Sequence, residues 1–309
     1  MKLNELHKLA QAMTNPSSGD LQERIRELGL DPNRLYQELE MSSPYVDTHR
    51  DSSLSNANMQ LHSHTFYELI YCCNDCNAEY LVGSERYRLR QGDIVFVPPG
   101  TSHRPLLPEK MAQPYQRYVL WLSQEFMEKF ALLFPYPFTD KQANAGLLRT
   151  GETSAAPLGD LFKNGILEAE TQKDGWEAAI IGNTITLLSQ LKRATDGHRL
   201  HPLKAETPQL LDKLTAYVEE NYTKSITLSD TAGKFYISES TISHLCKEKL
   251  GVSFYQYVTQ RRLIAAKSLI EKGFLLEDVA LQSGFGDYSG FYRAFRQAYG
   301  ITPRQYKNL

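Results

Sequence analysis

Four features are missing from this 309-residue chain, and each absence excludes a class of protein. There is no run of about 18 apolar residues, so no membrane-spanning helix is expected. No basic stretch followed by a short apolar core and a small-residue cleavage site is present, so a cytoplasmic protein with no membrane partner is the expectation. Only four cysteines occur, and they are not spaced like a secreted disulfide framework. No strong charge of either sign is present: the net charge is −2. From Ala205 onward there are 13 lysines and arginines against 11 acids, which makes that part +2 and leaves −4 for the remainder. Charge alone therefore does not mark a nucleic-acid binder. The length favours two domains.

What is present is a repeat. Gly284-Phe285-Gly286-Asp287 and the residues that follow match an earlier stretch when shifted back 49 positions: Ser238 falls on Asp287, Ile242 on Phe291 and Cys246 on Phe295. The two copies continue as Leu250-Gly251-Val252-Ser253 with Tyr257, against Tyr299-Gly300-Ile301-Thr302 with Tyr306. A supersecondary unit repeated at a fixed period decides the fold of the whole segment.

Each copy follows local rules. In the first, Leu228 to Lys234 reads as a short helix, Phe235-Tyr236-Ile237 as a turn, and Ser238 as the cap of a second helix. In the second, Glu277 to Ser283 is the short helix, Gly284 the turn and Asp287 the cap. Ile242, Leu245, Cys246 and Leu250 share one face of the second helix, as do Phe291, Ala294, Phe295 and Ala298 in the other copy. The opposite faces carry Ser240, Ser243, His244 and Lys247 in one copy and Ser289, Tyr292, Arg293 and Arg296 in the other. Such side chains suit base-edge and phosphate contacts with double-stranded DNA. The bland alternative is a pair of helical hairpins with solvated polar faces. Ser253 to Lys272 reads as one helix joining the copies, with Arg261, Arg262 and Lys267 expected to face solvent or DNA. About 20 residues span roughly 30 Å, close to the roughly 34 Å between successive major grooves.

The region from about Pro208 to Leu309 resembles the DNA-binding domain of AraC/XylS-type transcriptional regulators. The likeness rests on Ala232, Ile237-Ser238, Leu245, Gly251, Phe254, Tyr257, Arg261-Arg262-Leu263 and Ala266, then on Val279-Ala280, Gly284-Phe285, Phe291, Arg293, Phe295, Gly300, Pro303 and Tyr306. The resemblance implies that Ser240, Ser243 and His244, with Ser289, Tyr292 and Arg293, read DNA, and that RNA polymerase is a partner. His244 stands where the family often has arginine, which makes that contact depend on pH.

The N-terminal half switches to short strands: 62–71, 79–82, 86–89, 93–97 and 115–122, separated by turn signals such as Gly83-Ser84 and Gln91-Gly92. That spacing fits an antiparallel barrel or jelly roll. The segment resembles a cupin sensor domain, with His62-x-His64-x3-Glu68 and Gly92-x5-Pro98-Pro99-Gly100-x2-His103 as its two motifs. If residues 62 to 68 form a strand, His62, His64 and Glu68 enter the barrel on one wall, with His103 opposite. In metal-binding cupins these four positions hold a divalent ion, and the donor set suits zinc, iron, nickel or manganese. The same residues, with Trp121, can instead hydrogen-bond an organic effector. Cys73-Asn74-Asp75-Cys76 is formally a C-x-x-C, able to form a redox pair or a metal clip.

The expected class is thus α+β: a cupin-like antiparallel barrel with flanking helices, then an all-α double helix-turn-helix. The expected divisions are a helical arm at 1–58, the barrel at 59–124, a helical region at 125–193, a linker at 194–208 and the DNA reader at 209–309. An apolar stripe of Ile180, Ile181, Thr184, Leu187, Leu188 and Leu191 should be buried, against the barrel or in a homodimer, with the dimer favoured. The function expected is a regulator, not an enzyme, that senses a small molecule, a sugar among the candidates. A metal-dependent cupin enzyme with a DNA-binding tail and an architectural DNA binder with an empty barrel are the competing readings.

Overall fold

The computed structural model describes residues 41–54, 61–108, 110–133, 146–149, 158–196 and 209–308. Residues 1–40 of the expected helical arm, and nearly all of the linker, lie outside them.

Eight strands build the N-terminal domain: β1 Val46–Ser53, β2 Tyr67–Cys72, β3 Glu79–Val82, β4 Glu85–Arg88, β5 Asp93–Val97, β6 His103–Leu106, β7 Tyr115–Leu122 and β8 Gly146–Arg149. They form a five-stranded sheet, β1-β7-β2-β5-β8, and a three-stranded sheet, β4-β3-β6. Every pairing is antiparallel. Side chains alternate across the large sheet with period two. Leu69, Phe96 and Leu120 go to a core beneath helices, while Ile70, Val95 and Val97 go to the core between the sheets.

Three helices cover the large sheet: α1 Gln124–Leu133, α2 Leu158–Thr171 and α3 Trp176–Asp196. Here the expectation that the apolar stripe faces a second copy is corrected. Ile180, Thr184, Leu187, Leu188 and Leu191 are all buried within one chain, and the four aliphatic ones join a core with Val46, Leu69 and Leu122. The stripe packs on the barrel with residues of α1 and α2, so it is not a surface for a second copy.

The strand map also needs correction. The strand expected from His62 begins only at Tyr67; before it, residue 62 makes a single bridge to His103. β1 lies in the span expected to be an arm, and β8 in the span expected to be helical.

The C-terminal domain is helical: α4 Leu210–Asn221, α5 Leu228–Phe235, α6 Glu239–Leu245 continuing as a π-helical turn over Cys246–Leu250, α7 Phe254–Glu271, α8 Leu276–Gln282, α9 Tyr288–Tyr299 and α10 Pro303–Lys307. Capping sets the starts. Thr227, Ser238, Ser253, Asp287 and Thr302 each accept a backbone N–H three residues ahead. The two turns share a closing hydrogen bond and differ by one residue in length. Ile237 N–H donates to the Ala232 carbonyl, and Phe285 N–H to that of Ala280, 48 positions on, whereas the caps Ser238 and Asp287 lie 49 apart. Gly286 is the extra residue. α7 serves both copies: Phe254, Tyr257, Val258 and Ile264 enter the first core, and Leu263, Ala266 and Ile270 the second.

Candidate functional site

Two sites emerge, one in each domain. In the reader, the second helix of each copy buries one side and exposes the other. Ile242 and Cys246 of α6, like Phe291 and Phe295 of α9, are sealed from solvent. Ser240, Ser243, His244 and Lys247 are exposed, as are Ser289, Arg293 and Arg296, with Tyr292 half-buried. His244 lies 3.3 Å from the Glu248 carboxylate, which also holds Lys249 at 2.7 Å. An acid on the edge of this face repels an approaching phosphate unless it is paired, and the Lys249 ammonium pairs it. α7 contains 18 residues and so extends about 27 Å, a separation compatible with readers in successive grooves.

The arginines of α7 depart from expectation. Arg261 pairs with Glu219 of α4 and lies over the Tyr222 ring, 4.2 Å from its centroid. Arg262 donates to the carbonyls of Tyr222 and Lys224, both at 2.8 Å. These arginines fasten α4 to the reader, because the C-terminal carbonyls of α4 lack helical partners and attract cations. Lys267 lies 5.4 Å from the Tyr306 ring centroid.

In the barrel, β2 supplies Glu68, the segment before it His64, and β6 His103. His64 Nε2 lies 3.3 Å and His103 Nε2 3.0 Å from Glu68 Oε2. The indole N–H of Trp121, on β7, donates to the other oxygen, Oε1, at 2.8 Å. These three ligand atoms lie within 4.8 Å of one another. His62 is beside the cluster and outside it, its ring 4.2 Å from that of His103. Residues 62 to 66 are not a strand, so the alternation argument that grouped His62 with His64 fails there.

The far sides of the imidazoles decide their chemistry. His64 Nδ1 donates to the Phe66 carbonyl at 2.8 Å, and His103 Nδ1 to the Thr101 carbonyl at 3.0 Å. A carbonyl only accepts, so both Nδ1 atoms carry protons. When neutral, each ring turns a bare Nε2 toward a carboxylate oxygen. His103 is sealed from solvent, with its Nε2 directed at Glu68 Oε2. Burial pushes the pKa of Glu68 up, but the two imidazoles outweigh it and hold the carboxyl well below its usual range. Burial lowers His64, against the pull of Glu68.

A cavity opens onto this cluster, lined also by His49, Asp51, Arg117, Tyr80, Phe66 and Trp121. His49 and Asp51 were missed because β1 was read as part of an arm. Arg117 donates to Asp51 at 2.8 Å. The cavity thus offers carboxylate acceptors, N–H donors and flat aromatic faces, drawn from both sheets.

Comparison with known proteins agrees with both halves. A helix-turn-helix domain model matches residues 231–308, and a model of the AraC-like ligand binding domain matches residues 48–179. The chain belongs to the AraC family of transcriptional regulators. It is 25% identical over 291 residues to the uncharacterized HTH-type transcriptional regulator YfiF of Bacillus subtilis, covering 90% of this chain and 88% of that one. It is 25% identical over 228 residues to the arabinose operon regulatory protein of Salmonella typhimurium, covering 72% and 77%. Over 100 residues it is 34% identical to the uncharacterized regulator YijO of Escherichia coli, covering 32% and 35%. An AraC-family regulator with a β-rich ligand-binding domain ahead of its DNA reader is the class read from the repeat and the strands.

The cysteines of this AraC-family chain are free, and burial raises the thiols of Cys72 to about 12 and of Cys73 to about 11, with Cys76 also raised. Thiols held protonated are poor nucleophiles and poor metal ligands. Among the described residues the one cluster of ligand spacing is His64, Glu68 and His103. No described helix is long and apolar enough to cross a membrane.

Proposed function

We propose that this AraC-family protein is a cytoplasmic regulator whose barrel binds a small polar effector and whose two reading faces contact double-stranded DNA. Ser240, Ser243, His244 and Lys247 would meet one stretch of major groove, and Ser289, Tyr292, Arg293 and Arg296 the next. Their exposure on helices whose other sides are sealed supports this. Contacts with RNA polymerase and self-association belong to the same reading, although the α3 stripe no longer argues for a dimer. No reaction is assigned to the barrel.

The observation that carries the effector site is the arrangement around Glu68. Both imidazoles turn Nε2 toward one carboxylate oxygen, and three acceptors at such distances would repel, so protons or a cation must lie among them. The donor set of His64, Glu68 and His103, each imidazole oriented by a backbone carbonyl, fits a divalent ion such as zinc. His62 would stand at the rim. The residues beyond the cluster, with Trp121 and Phe66 offering flat faces and Asp51 and Arg117 offering hydrogen bonds, suit a polyhydroxylated molecule such as a sugar. The relation to the arabinose operon regulatory protein supports that class.

Equilibrium dialysis against zinc chloride tests the cation. About one ion per chain is expected in wild-type protein and none in Glu68→Gln, which keeps the Trp121 hydrogen bond. Equal zinc content in both proteins would remove the cation from the reading. Thermal stabilisation by a panel of monosaccharides would then test the organic effector alone.

A further inference from the structure

The three-stranded sheet has two audiences. On β6, Pro105 lines the cavity and His103 reaches Glu68, while Arg104 and Leu106 point away from it. The outward residues do not meet solvent. Leu61, Leu81 and Leu106 share one buried core with Leu211, Leu214, Val218, Leu250 and Phe254 of the reader. Arg86 on β4 pairs with Asp212 on α4 at 2.7 Å. The sensor is therefore docked on the first reading unit and on α4.

Arg104 is the unusual member of that dock. It is 2% exposed, and burial lowers its guanidinium to about 10, so it remains charged at neutral pH. Among the described residues its acceptors are two carbonyls, those of its neighbour Pro105 at 3.3 Å and of Leu250 at 2.6 Å. A buried guanidinium facing no carboxylate is costly unless something else stabilises the charge. Leu250 supplies it. Leu250 ends the π-helical turn that continues α6, and Gly251 follows with a φ of +66°. The last carbonyls of a helix lack partners and carry partial negative charge, so a cation is favoured there. Arg104 thus caps the C-terminal end of the first recognition helix from another domain. The dock leaves the reading face open, since Ser240, Ser243, His244 and Lys247 remain exposed.

We propose that β6 couples the barrel to DNA reading: His103 in the Glu68 cluster and Arg104 on the recognition helix are consecutive residues of one strand, so a change at the cluster moves the cap on α6. This rests on the reading of the Glu68 cluster as the effector site. Coupling is reciprocal, so loosening the cap must also change binding in the barrel by the same factor.

Deuterium exchange on the full-length protein tests this, read in residues 246–252, with β2 and α9 as internal references. Arg104→Met should accelerate exchange in 246–252 about tenfold while α9 is unchanged, and Arg104→Lys should lie between it and wild type. Wild-type exchange at 246–252 in both variants would overturn the cap. His103→Ala should also alter 246–252, and the double variant should add nothing to Arg104→Met. No effect of His103→Ala, or effects that simply add, would overturn the coupling. His103→Asn carries the same test if the alanine variant does not fold. With zinc chloride as probe, protection of β2 should be accompanied by a change at 246–252 that Arg104→Met abolishes. Protection of β2 alone would overturn the coupling and leave the barrel site standing. Absence of any zinc effect on β2 would remove the cation site instead, and the His103 variants would then decide the coupling.

Discussion

Replacing Gly284 by alanine should damage the second reading unit more than any other single methyl group added to the reader. Gly284 has a φ of +86°, in the region where a β-carbon meets its own backbone. That conformation costs a non-glycine residue about 1–2 kcal/mol. The new methyl would also lie 2.3 Å from the Tyr222 carbonyl oxygen and 2.7 Å from the Thr223 α-carbon, with Arg262 Nε at 3.1 Å. The first two are backbone atoms, and Arg262 fixes that carbonyl by donating to it, so they cannot swing aside. Overpacking of this kind adds about 1–3 kcal/mol. Together the loss is about 2–5 kcal/mol, a large part of the roughly 5–15 kcal/mol that holds a typical domain. Gly251→Ala is the control. Its φ is +66° and nothing lies within 4 Å of the added carbon, so only the conformational part, about 1–2 kcal/mol, should appear. Both tryptophans, Trp121 and Trp176, lie in the sensor, so helix content by circular dichroism in urea is the readout rather than tryptophan fluorescence. If Gly284→Ala is as stable as Gly251→Ala, the close approach between the second turn and the end of α4 does not exist as described.

Further outcomes follow from the same contacts. Asp287→Ala removes the acceptor of the Gly290 N–H, 2.7 Å away, and should destabilise α9 by about 1 kcal/mol in urea denaturation, with Asp287→Ser close to wild type. Leu187→Asp places a carboxylate in the core between α3 and the barrel, so it should unfold the sensor rather than yield a folded monomer; a folded variant of reduced mass in light scattering would restore the stripe as a dimer surface.

The sequence was most legible where structure is local. The reader was placed almost to the residue because caps and turns are short-range: Ser238, Ser253 and Asp287 start helices wherever they fall before an apolar pattern. The extra residue Gly286 escaped notice because one shift was applied to a whole unit. In the barrel, β1, β6 and β8 were missed, and all three are edge strands. An edge strand needs no apolar alternation and tolerates proline, so His103-Arg104-Pro105-Leu106 does not read as a strand. The expected metal site was half legible. His64, Glu68 and His103 do converge, but through an irregular segment and a bridge, which periodicity cannot foresee. Arg261 and Arg262 were assigned to solvent or DNA because nothing local showed that the C-terminal end of α4 lies against them.

The reading faces are tested most directly by DNA affinity. Duplexes selected by the full-length protein from a random pool would be titrated with wild type, His244→Ala and Arg293→Ala at fixed salt, by fluorescence anisotropy. Neither residue is in a core, so both variants should keep wild-type stability. If Arg293 contacts a base, its removal costs about 1–3 kcal/mol, a loss of roughly 5- to 150-fold in affinity, and His244→Ala weakens binding as well. Wild-type affinity in both variants would contradict the assignment of α6 and α9 as the helices that read DNA.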